Sequence, residues 1–168
     1  RGLFSGGTLA YESQVIWRDN FEMEVYSNAP LDKHFKMKDS TRSEGDCIID
    51  LGEEEFTVGR PHPMIDNDLR IRRILQEAAD PSVAVIMLDV VIGYGAHPDP
   101  AAELGEAILK ARAAAKKENR EVLFVASVTG TEEDPQSLSR TTEMLQSVGV
   151  HVLKSNAMAS RLAGYLIS

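Results

Sequence analysis

The sequence predicts an α/β fold: a doubly wound, mostly parallel sheet of the flavodoxin-like kind, covered by helices. Three observations carry that prediction. Apolar, β-branched runs alternate with stretches of helical periodicity, most cleanly after residue 80. Twice such a run breaks at a glycine and opens into a helix, across Val83–Pro100 and across Val122–Pro135. Apolar residues make up 43% of the chain but aromatics only 6%. Ala, Val, Ile and Leu therefore carry the burial, which suits a sheet covered on both faces.

Residues 2–5 read as a short strand ending at Ser5-Gly6-Gly7-Thr8. Leu9, Ala10, Val15 and Ile16 then give helical spacing to about Trp17, with Ser5 or Thr8 as N-cap. Phe21–Tyr26 suits a short strand. Residues 32–46 are charged and lack a periodic apolar face, so they are expected to form a mobile loop. A strand follows at 46–51, then a loop over 52–64 in which Pro61 and Pro63 exclude helix. Asp66 is placed to cap a helix over 67–79. Strands at 83–89, 121–127 and 150–153 alternate with helices at 99–117, 135–148 and 156–167.

The 168 residues suit a single domain spanning 1–168. The chain opens at Arg1, without Met, and enters an apolar run at once, so it reads as a fragment of a longer polypeptide. The net charge of −8 offers no basic stripe for nucleic acid. Arg70-Ile71-Arg72-Arg73 alternates with apolar residues and reads as a solvated helix face. One cysteine, Cys47, excludes an internal disulfide framework and zinc-ribbon spacing, and is expected to be a buried, inert thiol. No apolar stretch is long enough to span a bilayer and no signal peptide is read, so the expected location is cytoplasmic, with no membrane partner.

The chemistry is expected at the carboxyl ends of the strands, where helix N-termini present free N–H groups to an anion. The candidate phosphate-binding residues are Gly6, Gly7 and Thr8 after the first strand, Gly93, Gly95 and Ala96 after the third long run, and Gly130 and Thr131 after the fourth. Gly93-Tyr94-Gly95 lacks the third glycine of a dinucleotide fingerprint and the Lys-Ser/Thr of a P-loop. It reads either as a close backbone approach to a ligand or as a simple turn.

His97 lies at a helix start, where the dipole favours neutral imidazole. It suits a nucleophile or general base, or is an ordinary surface histidine. His62 and Arg60 share a stiff loop that either presents both to an anion or is merely ordered. Asp89 ends a strand, as a catalytic carboxylate or a backbone cap. No metal site can be argued, and His34 and His151 carry no signal.

In order and spacing, several segments resemble the CoA-ligase domain of succinyl-CoA synthetase. Ser5-Gly6-Gly7-Thr8-Leu9-Ala10 is similar to the glycine-rich first turn of the synthetase β-subunit's carboxyl-terminal domain. Ile49-Asp50-Leu51-Gly52 resembles its second strand end. Leu88–Gly95 resembles the third strand and turn, and Val128–Glu132 the fourth. The loop Gly59-Arg60-Pro61-His62-Pro63-Met64-Ile65-Asp66 resembles most closely the FdrA-type, acyl-CoA synthetase-like family.

The resemblance implies a role in phosphohistidine or acyl-phosphate handling, with backbone N–H groups of paired helix N-termini holding the phosphate. It implies as partners the other domains of the same polypeptide, in a homo- or hetero-oligomer, and a phosphate-bearing small molecule. It further implies no cofactor in this domain, with CoA and nucleotide belonging to the full-length protein. For FdrA-type proteins it implies a link to purine catabolism and carbamoyl transfer. The chain departs from the synthetases in lacking a Gly-His-x-Gly-Ala segment and an ATP-grasp module. It also places Glu53-Glu54-Glu55 after Gly52. Alone, it is not expected to make a thioester. The alternative is a non-catalytic dimerisation or scaffold domain.

Overall fold

The computed structural model describes residues 1–168. Six strands form one all-parallel sheet: β1 (Gly2–Phe4), β2 (Tyr26–Ser27), β3 (Cys47–Asp50), β4 (Val85–Val91), β5 (Leu123–Thr129) and β6 (Val150–Leu153), in the order β2-β3-β1-β4-β5-β6. The helices are α1 (Gly7–Phe21), α2 (Glu54–Thr57), α3 (Asp68–Ala79), α4 (Pro100–Lys117), α5 (Leu138–Ser147) and α6 (Asn156–Ile167). The predicted doubly wound, flavodoxin-like arrangement is the one observed.

Strand pleat divides the core in two. Leu3, Ile49, Leu88 and Ala126 stand in register across four strands on one face, where α3, α4 and α5 bury a cluster of 23 residues. Phe4, Ile48, Val85, Met87 and Val125 point to the other face, covered by α1 and α6 with Trp17 at the centre. Leaving β3, the chain passes through α3 and jumps over β1 to β4. The winding direction therefore reverses between β1 and β4, and in open parallel sheets a ligand crevice lies outside the strand ends at such a point.

Several boundaries differ from the sequence reading. The β4–β5 ladder runs from Val85↔Leu123 to Val91↔Thr129, shifted two residues onward from the strands expected over 83–89 and 121–127, because pairing fixes where the strands begin and end. Helix α1 continues a turn past Trp17 and stops at Glu22, whose left-handed backbone (φ 53°) lets its N–H close onto Arg18 O. That extension reduces the strand expected over Phe21–Tyr26 to Tyr26–Ser27. A turn of helix, α2, forms inside the loop expected over 52–64.

Segment 32–46 contains a single 3₁₀ turn at Lys33–Phe35. It docks Met37 into the core and bridges Lys36 to Ser27 beside β2. Arg73 holds it to α3 by donating to Ser40 O (2.7 Å) and Ser43 Oγ (2.8 Å).

The expectation of a solvated Arg70–Arg73 face is corrected. Arg70 and Arg73 are 2% and 4% exposed. The 3.6-residue period turns positions 70, 73, 74 and 77 inward, and buried carboxylates receive the guanidinium groups: Asp89 for Arg70, Glu77 for Arg73. Only Arg72 lies outside, paired with Asp68.

Candidate anion-binding site

The carboxyl ends of β1, β3, β4 and β5 line one rim, so the candidate residues share a side of the molecule. Their amides differ in availability. At the β4 corner, buried Gln136 binds the Gly93 backbone both ways: Gly93 N–H donates to Oε1 (3.1 Å), and Nε2 donates to Gly93 O (2.9 Å) and to His97 O (2.9 Å). Ala96 N–H closes a turn onto Gly93 O, and Gly95 is exposed. Asp99 caps α4 through Ala102 N–H, with Pro100 as the first helical residue.

At the β5 corner, Asp134 Oδ2, lying beside Gly130, accepts from Thr131 N–H (2.6 Å) and Oγ1 (3.1 Å). Glu132 accepts from Ser139 N–H and from the hydroxyls of Ser137 and Ser139. These bonds pull the Glu132 carboxyl below its ordinary range, the Ser137 hydroxyl first among them. The chain's own carboxylates thus fill this corner.

The β1 corner is open. No side chain caps α1, its first turn holds no acidic residue, and Gly6 rather than Ser5 or Thr8 is the N-cap. The N–H groups of Gly6, Gly7, Thr8 and Leu9 have no acceptor within the chain. Of the helices directly following β1, β4, β5 and β6, only α1 lacks a capping side chain, since Asp99, Ser137 and Ser155 serve the others.

Asp89 sits beneath this corner at 1% exposure. Its Oδ1 accepts from Ser5 N–H (2.7 Å) and from Arg70 Nη2 (3.1 Å), and its Oδ2 accepts from Ser5 Oγ. Arg70 also donates to the main-chain carbonyls of Asp89 and, at 3.5 Å, of Leu3. Burial pushes the Arg70 guanidinium below its ordinary range, opposed by Asp89. Asp89 is therefore placed to hold the turn that starts α1, not to touch a ligand.

Asp50, at the end of β3 and 3% exposed, supplies the corner's carboxyl group. Its Oδ1 accepts from Gly52 N–H (2.8 Å), while Oδ2 receives no hydrogen bond and faces α1, 3.0 Å from where a Cβ on Gly7 would stand. Burial raises the Asp50 carboxyl above its ordinary range. The Gly52 N–H works against that rise, Glu53 and Asp89 add to it, and His62 opposes it.

A Cβ on Gly52 would lie 2.6 Å from Ser5 O, 2.9 Å from His62 Nε2 and 3.1 Å from Asp50 Oδ1, so these atoms converge on one small space. His62 Nδ1 accepts from Met64 N–H (3.2 Å), a bond that assigns the ring proton to Nε2, the nitrogen aimed at that space.

His97 is engaged elsewhere. Nδ1 accepts from Asp99 N–H (3.0 Å) and Nε2 meets Glu103 Oε2 (3.2 Å), while its main-chain N–H donates to Met64 O (2.7 Å). It ties the β4 loop to the His62 loop. Arg60 is exposed in a separate cleft of about 190 Å³, shared with Phe56, Asp66, Asp68 and Arg72. Glu53, Glu54 and Glu55 are all exposed, and Glu55 is turned outward to Asn28 and Ser40.

The structure leaves Gly6, Gly7 and Thr8 open at the β1 corner and sets His62 Nε2, beside Ser5 O and Asp50, next to it. It engages Gly93, Ala96, Thr131 and His97 within the chain and places Arg60 in another cleft. Sequence reasoning gave no role to Asp50 or Arg70 here and offered Ser5 only as an N-cap. The available signal was a lone carboxylate closing the apolar run Cys47-Ile48-Ile49, followed within two residues by glycine.

Residues 3–166 match the family model described as CoA-ligase. The chain belongs to the CoA-ligase family. It is also 43% identical over 163 residues to "Uncharacterized protein YahF" of Escherichia coli (strain K12). That match covers 97% of this chain and 32% of YahF, so the chain spans about a third of that relative's length. Within this CoA-ligase domain, no group of three or more His, Cys, Asp or Glu side chains could hold a metal ion, and no helix is long and apolar enough to cross a membrane.

Proposed function

We propose that this domain supplies the phosphate- or acyl-phosphate-binding corner of a larger acyl-CoA synthetase-like enzyme of the FdrA type, acting in acyl-CoA or carbamoyl transfer. The observation that carries the reading is the uncapped start of α1: four adjacent N–H groups without acceptors, at the switch point of a parallel sheet. Gly6, Gly7 and Thr8 would hold phosphoryl oxygens, and His62 Nε2 would add a side-chain donor or serve as proton carrier. Charge-assisted bonds of this kind contribute about 1.5–3 kcal/mol each before ordering costs. A few of them give millimolar to sub-millimolar affinity, since 1 mM corresponds to about 4 kcal/mol.

On this reading the nucleotide and the nucleophile of the ligase come from other modules. Met64, Ile65 and Tyr94, the last 88% exposed, stand on the two loops joined by His97 and offer such a module an apolar footing. The test is a titration of the isotope-labelled chain with acetyl phosphate and with orthophosphate. Saturable movement of the Gly6, Gly7 and Thr8 amide signals is expected. No saturable change at 10 mM (roughly tenfold above a millimolar Kd) would refute it.

The second reading, a non-catalytic scaffold, draws on the α4 and α5 starts, which carry their own carboxylate caps. Unaltered turnover of the complete enzyme with both His62→Ala and His97→Ala favours it.

A further inference from the structure

We propose that Asp50 is the specificity-determining residue of the α1 corner and selects oxyanions that carry a proton, such as hydrogen phosphate, over equally charged anions that carry none, such as sulfate. This rests on the phosphate-binding reading given above and adds to it what the corner rejects.

The corner sets a row of unpaired donors beside one unpaired carboxylate oxygen. Gly6 to Leu9 offer backbone N–H groups and His62 offers Nε2–H. Asp50 Oδ2 is a carboxylate oxygen turned toward α1, 3.0 Å from where a Cβ on Gly7 would stand. It is held there by the Oδ1 bond to Gly52 and by strand pairing on both sides of β3, and no hydrogen bond reaches it. The Asp50 side chain is buried except at this oxygen, which stays open to the corner and free to meet a ligand.

An anion seated on the α1 amides lies against Oδ2. If every ligand oxygen is an acceptor, two lone pairs and two negative charges face each other at short range. If one ligand oxygen carries a hydrogen, the same contact becomes an O–H···O⁻ bond, among the strongest available to a protein. Hydrogen phosphate and sulfate share size, tetrahedral shape and a charge near −2 at pH 8, so only the proton separates them. The same contact would accept from the N–H of a ligand that joins an anionic group to an amide. A neutral Asp50 would donate to either anion and give no preference.

The experiment titrates the labelled chain at pH 8 and constant ionic strength with phosphate, arsenate, sulfate and selenate. Phosphate and arsenate, which carry a proton at this pH, are expected to bind at least tenfold more tightly than sulfate and selenate. In Asp50→Asn the amide can donate while its oxygen keeps the Gly52 bond, and the preference is expected to fall below threefold. The four-anion comparison on the unaltered chain stands even if the variant fails to fold. Equal binding of all four anions overturns the role of Asp50 and leaves the phosphate corner standing. A preference that survives in folded Asp50→Asn also overturns it. Absence of binding by any anion overturns both readings.

Discussion

Replacing Asp89 by alanine is the sharpest structural test of how the α1 corner is held. Asp89 and Arg70 have side chains 2% and 3% exposed, and the carboxylate is also the acceptor for both the N–H and the hydroxyl of Ser5. Removing it leaves a buried guanidinium without a counter-charge and strands two donors. Breaking one side of such a pair costs about 3–5 kcal/mol. Arg70 keeps the main-chain carbonyls of Asp89 and Leu3, which places the expected loss near the middle of that range, about 4 kcal/mol.

Against a total of about 5–15 kcal/mol, the variant folds at 25 °C but melts roughly 8–16 °C lower. Urea unfolding followed by circular dichroism measures the loss, with the slope m unchanged if the denatured state is unaffected. The double variant Arg70→Met/Asp89→Leu removes both charges and is expected to be more stable than Asp89→Ala, although Ser5 still lacks its acceptor. A loss below about 1 kcal/mol for Asp89→Ala, or single-variant losses that add within about 0.5 kcal/mol in the double, would refute the claim that this pair holds the corner.

Gly52→Ala is expected to cost about 1–3 kcal/mol and to weaken phosphate binding. Its Cβ meets a backbone carbonyl at 2.6 Å that cannot swing away, so wild-type stability in the same urea assay would contradict the packing described. Asp50 gives a pH signature. Because burial raises its folded pKa above the ordinary 3.8, its contribution to stability is fully present below that value and is lost as pH rises through the folded pKa. Asp50→Asn should therefore gain on the wild type in melting temperature between about pH 4 and neutrality, and a pH-independent difference would contradict this. Cys47 is fully buried, and burial raises its thiol pKa, so a thiol reagent should label it only after denaturant is added; rapid labelling of the native chain is the contrary result.

The layer architecture was legible because hydropathy period and β-branched runs report it directly, as in Ile86, Leu88 and Val90 along β4. Strand ends were not: the reading stopped at Asp89 and Ser127, whose polar side chains interrupt the runs, whereas the ladder continues to Val91 and Thr129. Arg70 was misread because a buried arginine is recognisable only through a partner 19 residues away. Gly6 and Gly7 were found from their position after a strand. Which glycine corners stay open depends on whether a distant or local side chain already occupies their amides. Gln136 at Gly93 and Asp134 at Thr131 decide that in three dimensions.

The glutamine at position 136 has one more consequence. With its amide paired to both polar groups of Gly93, it imitates a neighbouring strand for a single residue and extends the sheet's rim by one rung made of side chain. Two surface turns, one before α4 and one before α5, are thereby riveted into a single rigid lip. The start of the first helix, by contrast, has no side chain bracketing its amides.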